Sequence, residues 1–352
     1  MANYFISLLL VRLVLPAGLL LSIAIRPFGL SLVYLIMYLI APLTQLPNEQ
    51  TFGGWRGNFL FLNVFVSFLL LFGHAVFHSV LASFSPYGSL LLNYPIIQVI
   101  GHNLGLVSYQ TIDPLMAVHY MSPELVMCST SLLVYMLVKR LVLGSKTNLI
   151  KKDSKYQRYP LLTSAGKYIC LFLIMFSGIM RPSITSGIYF LVFMGVATAW
   201  ALGQPLGRGF AVVSRCLMAI MAVHVIVLLA YQCSLLITLY PPEKDFARYF
   251  GLTKLVIINE TNPSGFMYEV TDDHMWATLA SPIVILVTYF ILAIESRELF
   301  KPKARKKSAL TGLEAGKLNG SLVRGVSFHR GSRRAAKDKW KHATKKVRVS
   351  LR

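Results

Sequence analysis

Long apolar runs dominate this chain, and a bilayer is the one solvent that accommodates so many of them. Eight can be read against the roughly 20 residues a helix needs to cross the hydrocarbon core. They are Phe5–Ile25, Gly29–Leu43, Phe59–Phe84, Pro123–Leu143, Tyr168–Met180, Ser183–Leu202, Ala211–Leu239 and Trp276–Ile294. Composition agrees, because the 352 residues are 55% hydrophobic and only 14% charged. A soluble chain carries about a quarter charged residues to cover its surface. Two runs are short. Gly29–Leu43 gives about 22 Å of helix at 1.5 Å per residue, and Tyr168–Met180 is expected to recruit Leu161–Lys167. Such helices must thin the bilayer locally or lean on neighbours. The first run is interrupted by Arg12, and no small-x-small cleavage site follows before Arg26-Pro27, so a retained first helix is expected rather than a signal peptide.

The net charge of +21 is concentrated at one end. Residues 297–352 hold 18 of the 35 Lys and Arg but only three acids, Glu298, Glu314 and Asp338. This segment is polar, basic and short of large apolar residues, so the sequence predicts a disordered tail. Tethered beside a membrane, it is better suited to anionic lipid than to nucleic acid, at about 1 kcal/mol per Lys or Arg near the surface. Ser327 follows Arg324-Gly325-Val326, and Ser350 follows Arg348-Val349, so both resemble basophilic kinase sites. Phosphorylation there is expected to weaken lipid binding.

Loop charges set an orientation, because Lys and Arg collect on the cytosolic side. The segment 139–167 carries Lys139, Arg140, Lys146, Lys151, Lys152, Lys155, Arg158 and Lys167, whereas 85–122 has no Lys or Arg. In 240–275 three basic residues, Lys244, Arg248 and Lys254, are outnumbered by Glu243, Asp245, Glu260, Glu269, Asp272 and Asp273. Both termini are therefore predicted to be cytosolic. Asn259-Glu260-Thr261 is a glycosylation acceptor in a predicted outer loop, while Asn319-Gly320-Ser321 falls in the tail and is expected to stay unmodified. The outer segment 90–107, broken by Pro95, Gly101 and Gly105, reads as an interfacial helix or packed loop.

Comparing the chain with itself shows a repeat. Arg26, Pro27, Ser31 and Tyr34 coincide with Arg181, Pro182, Ser186 and Tyr189 at an offset of 155 residues. Proline suits the first turn of a helix and ends the preceding one. The arginine can snorkel to the interface between two antiparallel spans. Three weaker pairs follow in the same order: His74 with His224, Gly105-Leu106 with Gly251-Leu252, and Ser122-Pro123 with Ser281-Pro282. The offsets of 150, 146 and 159 drift as loop lengths drift, but the order holds. The reading is an all-α integral membrane protein of about eight transmembrane helices in two tandem four-helix units. Residues 1–143 form the first unit, 144–167 a basic cytosolic linker, 168–296 the second unit and 297–352 the tail.

Site chemistry is sparse. No Asp or Glu lies inside any run, with Glu124 read as sitting at an end, so an ion path through these helices is not expected. Arg12 lies about two turns from the cytosolic end and can snorkel. His74 and His78 share a helix face at i, i+4, a spacing that can hold a metal, but no third ligand is near in sequence. Packing histidines with backbone or hydroxyl partners are the commoner case. Cys128, Cys170, Cys216 and Cys233 sit inside apolar runs without a metal or disulfide spacing, and read as small buried hydrophobes. No catalytic residue, cofactor or metal is predicted. The opposing reading is a multi-pass membrane enzyme or transporter, which needs His74 and His224 to face one shared cavity beside further polar groups.

The residues also carry a family resemblance. Arg26-Pro27 with Leu30 to Leu35, Arg181-Pro182 to Tyr189, and Arg208-Gly209-Phe210 through His224 to Tyr231-Gln232 resemble the start of a Piezo mechanosensitive channel. Pro241-Pro242, Ala247-Arg248 and Gly251-Leu252 continue the similarity, which covers roughly residues 4–296. The resemblance implies that both units are outermost repeats of a curved blade, sensing membrane tension. It implies a homotrimeric, non-selective cation channel in the plasma membrane as the parent assembly. Family members are several times longer, with pore and cap near the far C-terminus, and nothing here resembles those parts. The expectation is a fragment, an incomplete gene model or a short product with its own ending, lacking the pore.

Overall fold

Helices account for nearly all of the regular structure in this computed structural model, which describes residues 2–44, 52, 54–81, 94–106, 114–143, 160–204, 206–242, 244–258, 266–268 and 275–300. The first helix runs as α1 (Ala2–Leu9), a π-helical turn (Leu10–Val14) and α2 (Leu15–Ile25). α3 (Ser31–Ile40) ends in a 3₁₀ turn (Ala41–Leu43), and α4 (Trp55–Val76) continues into a π-helical segment (Phe77–Leu81). α5 (Pro95–Leu104) and α6 (Pro114–Leu143) complete the first half. The second half comprises α7 (Pro160–Ile179), α8 (Ile184–Ala201), α9 (Arg208–Ala230), the short α10 (Ser234–Leu239) and α11 (Asp245–Phe250), and α12 (Met275–Phe300). Between α11 and α12 lies a small two-stranded antiparallel hairpin of β1 (Val256–Ile258) and β2 (Phe266–Tyr268) that pairs Ile257 with Met267, in an otherwise all-α membrane fold.

Among the described residues, six helices are long and apolar enough to cross a bilayer: Phe5–Ile25, Gly57–Ser79, Val118–Val142, Ile184–Ala201, Gly209–Ala230 and Trp276–Arg297. Two shorter apolar helices, Ser31–Leu43 and Ala165–Ile179, fall where the sequence showed its two short runs. α7 starts at Pro160 and so takes in Leu161–Lys167.

The burial pattern is inverted relative to a water-soluble protein. On α4 and its π-helical continuation, Phe61, Phe65, Phe68 and Phe72 form an exposed stripe at helical spacing, while Asn63, Ser67, His74 and His78 are buried on the opposite side. Water would penalise such a stripe, whereas lipid does not. Asn63 and Ser67 satisfy themselves on the helix behind them, donating to the Phe59 and Asn63 carbonyls at 2.7 and 2.6 Å. This is an integral, multi-pass membrane protein.

Helix packing follows one scheme in both halves. α6 packs on α2 and α4, and α2 packs on α3. Likewise α12 packs on α7 and α9, and α7 packs on α8. The described residues belong to one compact unit within 1–301, and 302–352 lie outside the described residues. Within it the main apolar core runs from Leu10 to Ala293, and a small second cluster gathers Phe28, Tyr120 and Val256. Two tyrosines stitch the halves together. The Tyr38 hydroxyl donates to the Leu286 carbonyl at 3.2 Å, and the Tyr289 hydroxyl donates to the Leu39 carbonyl at 2.7 Å. At the end of the same α3, carbonyls of Pro42 and Thr44 accept from Arg12 of the first helix and Arg297 of α12.

Candidate functional site

Arg26, His74 and Glu124, three buried ionisable groups, gather where α2 turns into α3. Arg26 leaves the helical region with ψ near +89°, a conformation that its following proline favours. Pro27 itself stands outside the next helix, which begins only at Ser31. Ser31 closes the turn by donating its hydroxyl to the Arg26 carbonyl. The Arg26 side chain is wholly buried and forms an ion pair with Glu124 of α6 through Nη2. Its Nη1 donates to the Tyr120 carbonyl at 2.6 Å and the Gly105 carbonyl at 3.3 Å, and lies 3.5 Å from His74 Nδ1. His74 Nδ1 is in turn 3.6 Å from Glu124 Oε1.

Local sequence makes this closure possible. Pro123 has no N–H and displaces the carbonyl one turn back, so it opens the helix near His119 and Tyr120. The Ser122 hydroxyl takes the His119 carbonyl at 2.7 Å, and Ser22 reaches the Pro123 carbonyl at 3.1 Å. Gly105 follows α5 with φ of +83°, and a Cβ there would come within 3.0 Å of Arg26 Nε. Glycine is needed for both reasons.

A related junction occurs between α7 and α8. Arg181 Nη1 donates to the Gly251 carbonyl at 2.9 Å and to Thr253 Oγ1 at 2.6 Å. Gly251 again has positive φ, +68°, and a Cβ there would meet Ser183 at 3.0 Å. Ser183 caps α8 by accepting from the Ser186 N–H at 3.1 Å. His224 of α9 is held by the Tyr189 hydroxyl at 2.7 Å and lies 3.4 Å from Thr185 Oγ1. Thus Arg26 meets both His74 and Gly105, while Arg181 meets Gly251 and His224 bonds to Tyr189 and Thr185 of the adjoining helix.

The two junctions differ in charge. α12 has no acid before Glu295, and no carboxylate among the described residues pairs with Arg181. Arg181 is part-buried, and this burial lowers its guanidinium pKa from the usual value. The tyrosines differ too. Tyr189 bonds His224, whereas the buried Tyr34 hydroxyl has no protein partner among the described residues, in common with Arg26 Nε, His74 Nε2 and Glu124 Oε2.

Comparison with known proteins decides what carries these junctions. The family model described as Piezo TM1-24 matches residues 26–159 and 145–341. The chain belongs to the Piezo family. It is 25% identical to the Piezo-type mechanosensitive ion channel component of Drosophila melanogaster over 86% of this chain and 14% of the relative. It is 25% identical to component 1 of Homo sapiens over 90% of this chain and 14% of the relative, and 25% identical to component 1 of Mus musculus over 79% and 12%. The chain thus spans about one seventh of the length of the Piezo relatives it matches. No solved structure matches it.

Two sequence expectations for this Piezo chain are corrected by the junction geometry. Arg26 does not snorkel to an interface. It is fully buried, with Glu124, two carbonyls and His74 gathered around its two Nη groups inside the helix packing. Glu124 is not at a helix end, because α6 extends upstream of Pro123 to Pro114 and places the carboxylate in its interior. This ion pair is the site that sequence reading missed; an acid flanking Pro123 and an arginine flanking Pro27 was the available signal. His74 and His78 stack at 4.9 Å between ring centroids, and no group of three His, Cys, Asp or Glu among the described residues is placed to hold a metal. His74 and His224 belong to separate clusters rather than one cavity. Asn259, Ser327, Ser350 and the linker 144–159 lie outside the described residues.

Proposed function

We propose that this chain is a membrane-tension-sensing part of a Piezo-type channel, made of two tandem four-helix units from the distal blade, with the pore elsewhere in the assembly. The repeated junction carries the reading. In each half an Arg-Pro turn joins the first two helices, and its guanidinium grips the carbonyl of a positive-φ glycine from the segment before the last helix. The shared packing scheme of the two halves supports the same division at 1–143 and 168–296. The two short apolar helices complete eight crossings, with both termini cytosolic and the plasma membrane as host.

A tension sensor must have states that differ in membrane area or shape, because tension can bias only such a difference. The junctions make each unit stiff, and the reciprocal Tyr38 and Tyr289 contacts couple one unit to the next. Force on the array then tilts units instead of unfolding them. The buried charges serve this stiffness and not permeation, since the Arg26–Glu124 pair is wholly enclosed. The rest of a homotrimeric, non-selective cation channel is the partner. Anionic lipid is the partner of the basic linker and tail. Asn259 is the glycosylation site of the outer loop, and charge added at Ser327 or Ser350 weakens the tail's hold on lipid.

Reconstitution of residues 1–352 in planar bilayers or giant vesicles, followed by patch recording under suction, tests the assignment. The expected result is no stretch-activated current. Stretch-activated cation current from this chain alone overturns it.

A further inference from the structure

The missing acid at the second junction leaves a cation with one edge unused. Arg181 spends a single nitrogen, Nη1, on both its protein contacts, Gly251 O and Thr253 Oγ1. Its Nη2 and Nε make none among the described residues. Those two nitrogens form the edge of a guanidinium that takes a two-oxygen anion bidentately. The first junction lacks such an edge for a ligand, since Arg26 is enclosed and Glu124 occupies Nη2. Asp245 is exposed at the start of α11, and makes no ion pair with Arg181.

The surroundings specify what kind of anion can come. Ile179 and Ile184, flanking Arg181 in sequence, are exposed apolar side chains at the ends of two membrane helices. α11 packs on α8 and turns Phe246, Tyr249 and Phe250 outward, and Tyr240 lies against Phe246 at 5.4 Å between ring centroids. Aromatic side chains grouped at a helix end mark the headgroup level of a bilayer. A part-buried cation at that level faces lipid phosphate above and acyl chains below.

We propose that Arg181 binds the phosphate of a membrane phospholipid, with the lipid's chains lying along the apolar surface beside Ile179 and Ile184. This rests on the chain spanning a bilayer and is independent of the tension-sensing reading. It is distinct from the anionic-lipid contacts of the basic linker and tail. The phosphate is the recognised group, so zwitterionic and anionic phospholipids both fit. The lipid at this junction takes the place that the Glu124 carboxylate holds at the other.

Native mass spectrometry of the purified full chain tests the proposal, with phosphatidylcholine, phosphate-free glucosylceramide and inorganic phosphate as separate probes. Wild type is expected to retain one phosphatidylcholine more than Thr253→Asp and Arg181→Gln, and to show no such excess for glucosylceramide. Thr253→Asp is the decisive variant, because it keeps Arg181 and supplies a carboxylate at a position already 2.6 Å away. Its half-saturating lipid concentration should rise about tenfold or more, as expected for loss of a charge-assisted hydrogen bond. Far-UV circular dichroism establishes that the variants are folded, and if Arg181→Gln is not, Thr253→Asp decides. Equal phosphatidylcholine retention by wild type and Thr253→Asp overturns the proposal. So does equal retention of glucosylceramide, or uptake of inorganic phosphate without any excess lipid.

Discussion

Replacing Glu124 by glutamine isolates the charge in the enclosed junction, because the amide keeps an oxygen for Arg26 and preserves the shape of the side chain. In wild type the Arg26 cation faces one carboxylate, the carbonyls of Tyr120 and Gly105 and the ring of His74. Two unit charges about 4 Å apart attract by about 4 kcal/mol at an effective dielectric of about 20. Breaking a buried pair from one side costs about 3–5 kcal/mol, since the remaining charge stays desolvated. Glutamine retains one hydrogen bond, so the loss should fall near the lower end, about 3 kcal/mol. That is a large part of the 5–15 kcal/mol that stabilises a typical domain. Unfolding by sodium dodecyl sulfate from bicelles, followed by far-UV circular dichroism, measures it. Arg26→Gln and the double Arg26→Gln/Glu124→Gln variant complete a cycle whose coupling energy should exceed about 2 kcal/mol. Independent sites add to within about 0.5 kcal/mol, so additivity of that kind would refute the reasoning. Arg181→Gln, which breaks no carboxylate pair, should cost only about 1 kcal/mol.

The remaining predictions follow the same geometry. Tyr38→Phe and Tyr289→Phe each remove one hydrogen bond between the halves, and each should destabilise by about 0.5–1.5 kcal/mol in the same titration. Gly105→Ala and Gly251→Ala force a side chain into positive φ at a cost of about 1–2 kcal/mol. Gly105→Ala should cost more, because the Arg26 its Cβ would press on is wholly enclosed, whereas the Ser183 that a Gly251 Cβ would meet is part-buried and freer to give. Cys233 lies just beyond a membrane helix, and burial raises its thiol pKa. In a Cys128→Ala, Cys170→Ala, Cys216→Ala background, its maleimide labelling should be slow near neutral pH and accelerate beyond the range of a free thiol. Ser327→Asp with Ser350→Asp should weaken tail binding to anionic vesicles in a sedimentation assay.

Much of the architecture was legible because hydropathy is a strong signal. The six helices long and apolar enough to span, and the two shorter apolar ones, fall where the apolar runs occur. The small hairpin after α11 was not legible, since Val256–Ile258 and Phe266–Tyr268 are too short to show a strand period against a membrane background. At the junctions, sequence comparison aligned Arg26 with Arg181, His74 with His224 and Gly105 with Gly251 while each lay tens of residues from its partners. What it could not show was the closure of Arg26 on Glu124. Counting acids within runs treats Pro123 as a helix boundary, but here the helix continues through it, with Ser122 satisfying the His119 carbonyl that the proline leaves without a donor. The arginine with a helix-interior acid is enclosed, and the one without is only part-buried. The difference between Arg26 and Arg181 therefore depends on a residue almost a hundred positions from the first.

The central claim, that these repeats are tension-responsive levers, is tested most directly by a distance measured under tension. Spin labels at Cys216 on α9 and at Leu132→Cys on α6, two exposed positions in different halves, report on how the units stand relative to each other. The other native cysteines are replaced by alanine, and the chain is reconstituted in vesicles swollen stepwise by osmotic gradient. The account predicts a distance distribution that shifts progressively with tension and returns when the gradient is removed. A distribution that stays unchanged up to vesicle rupture would contradict it.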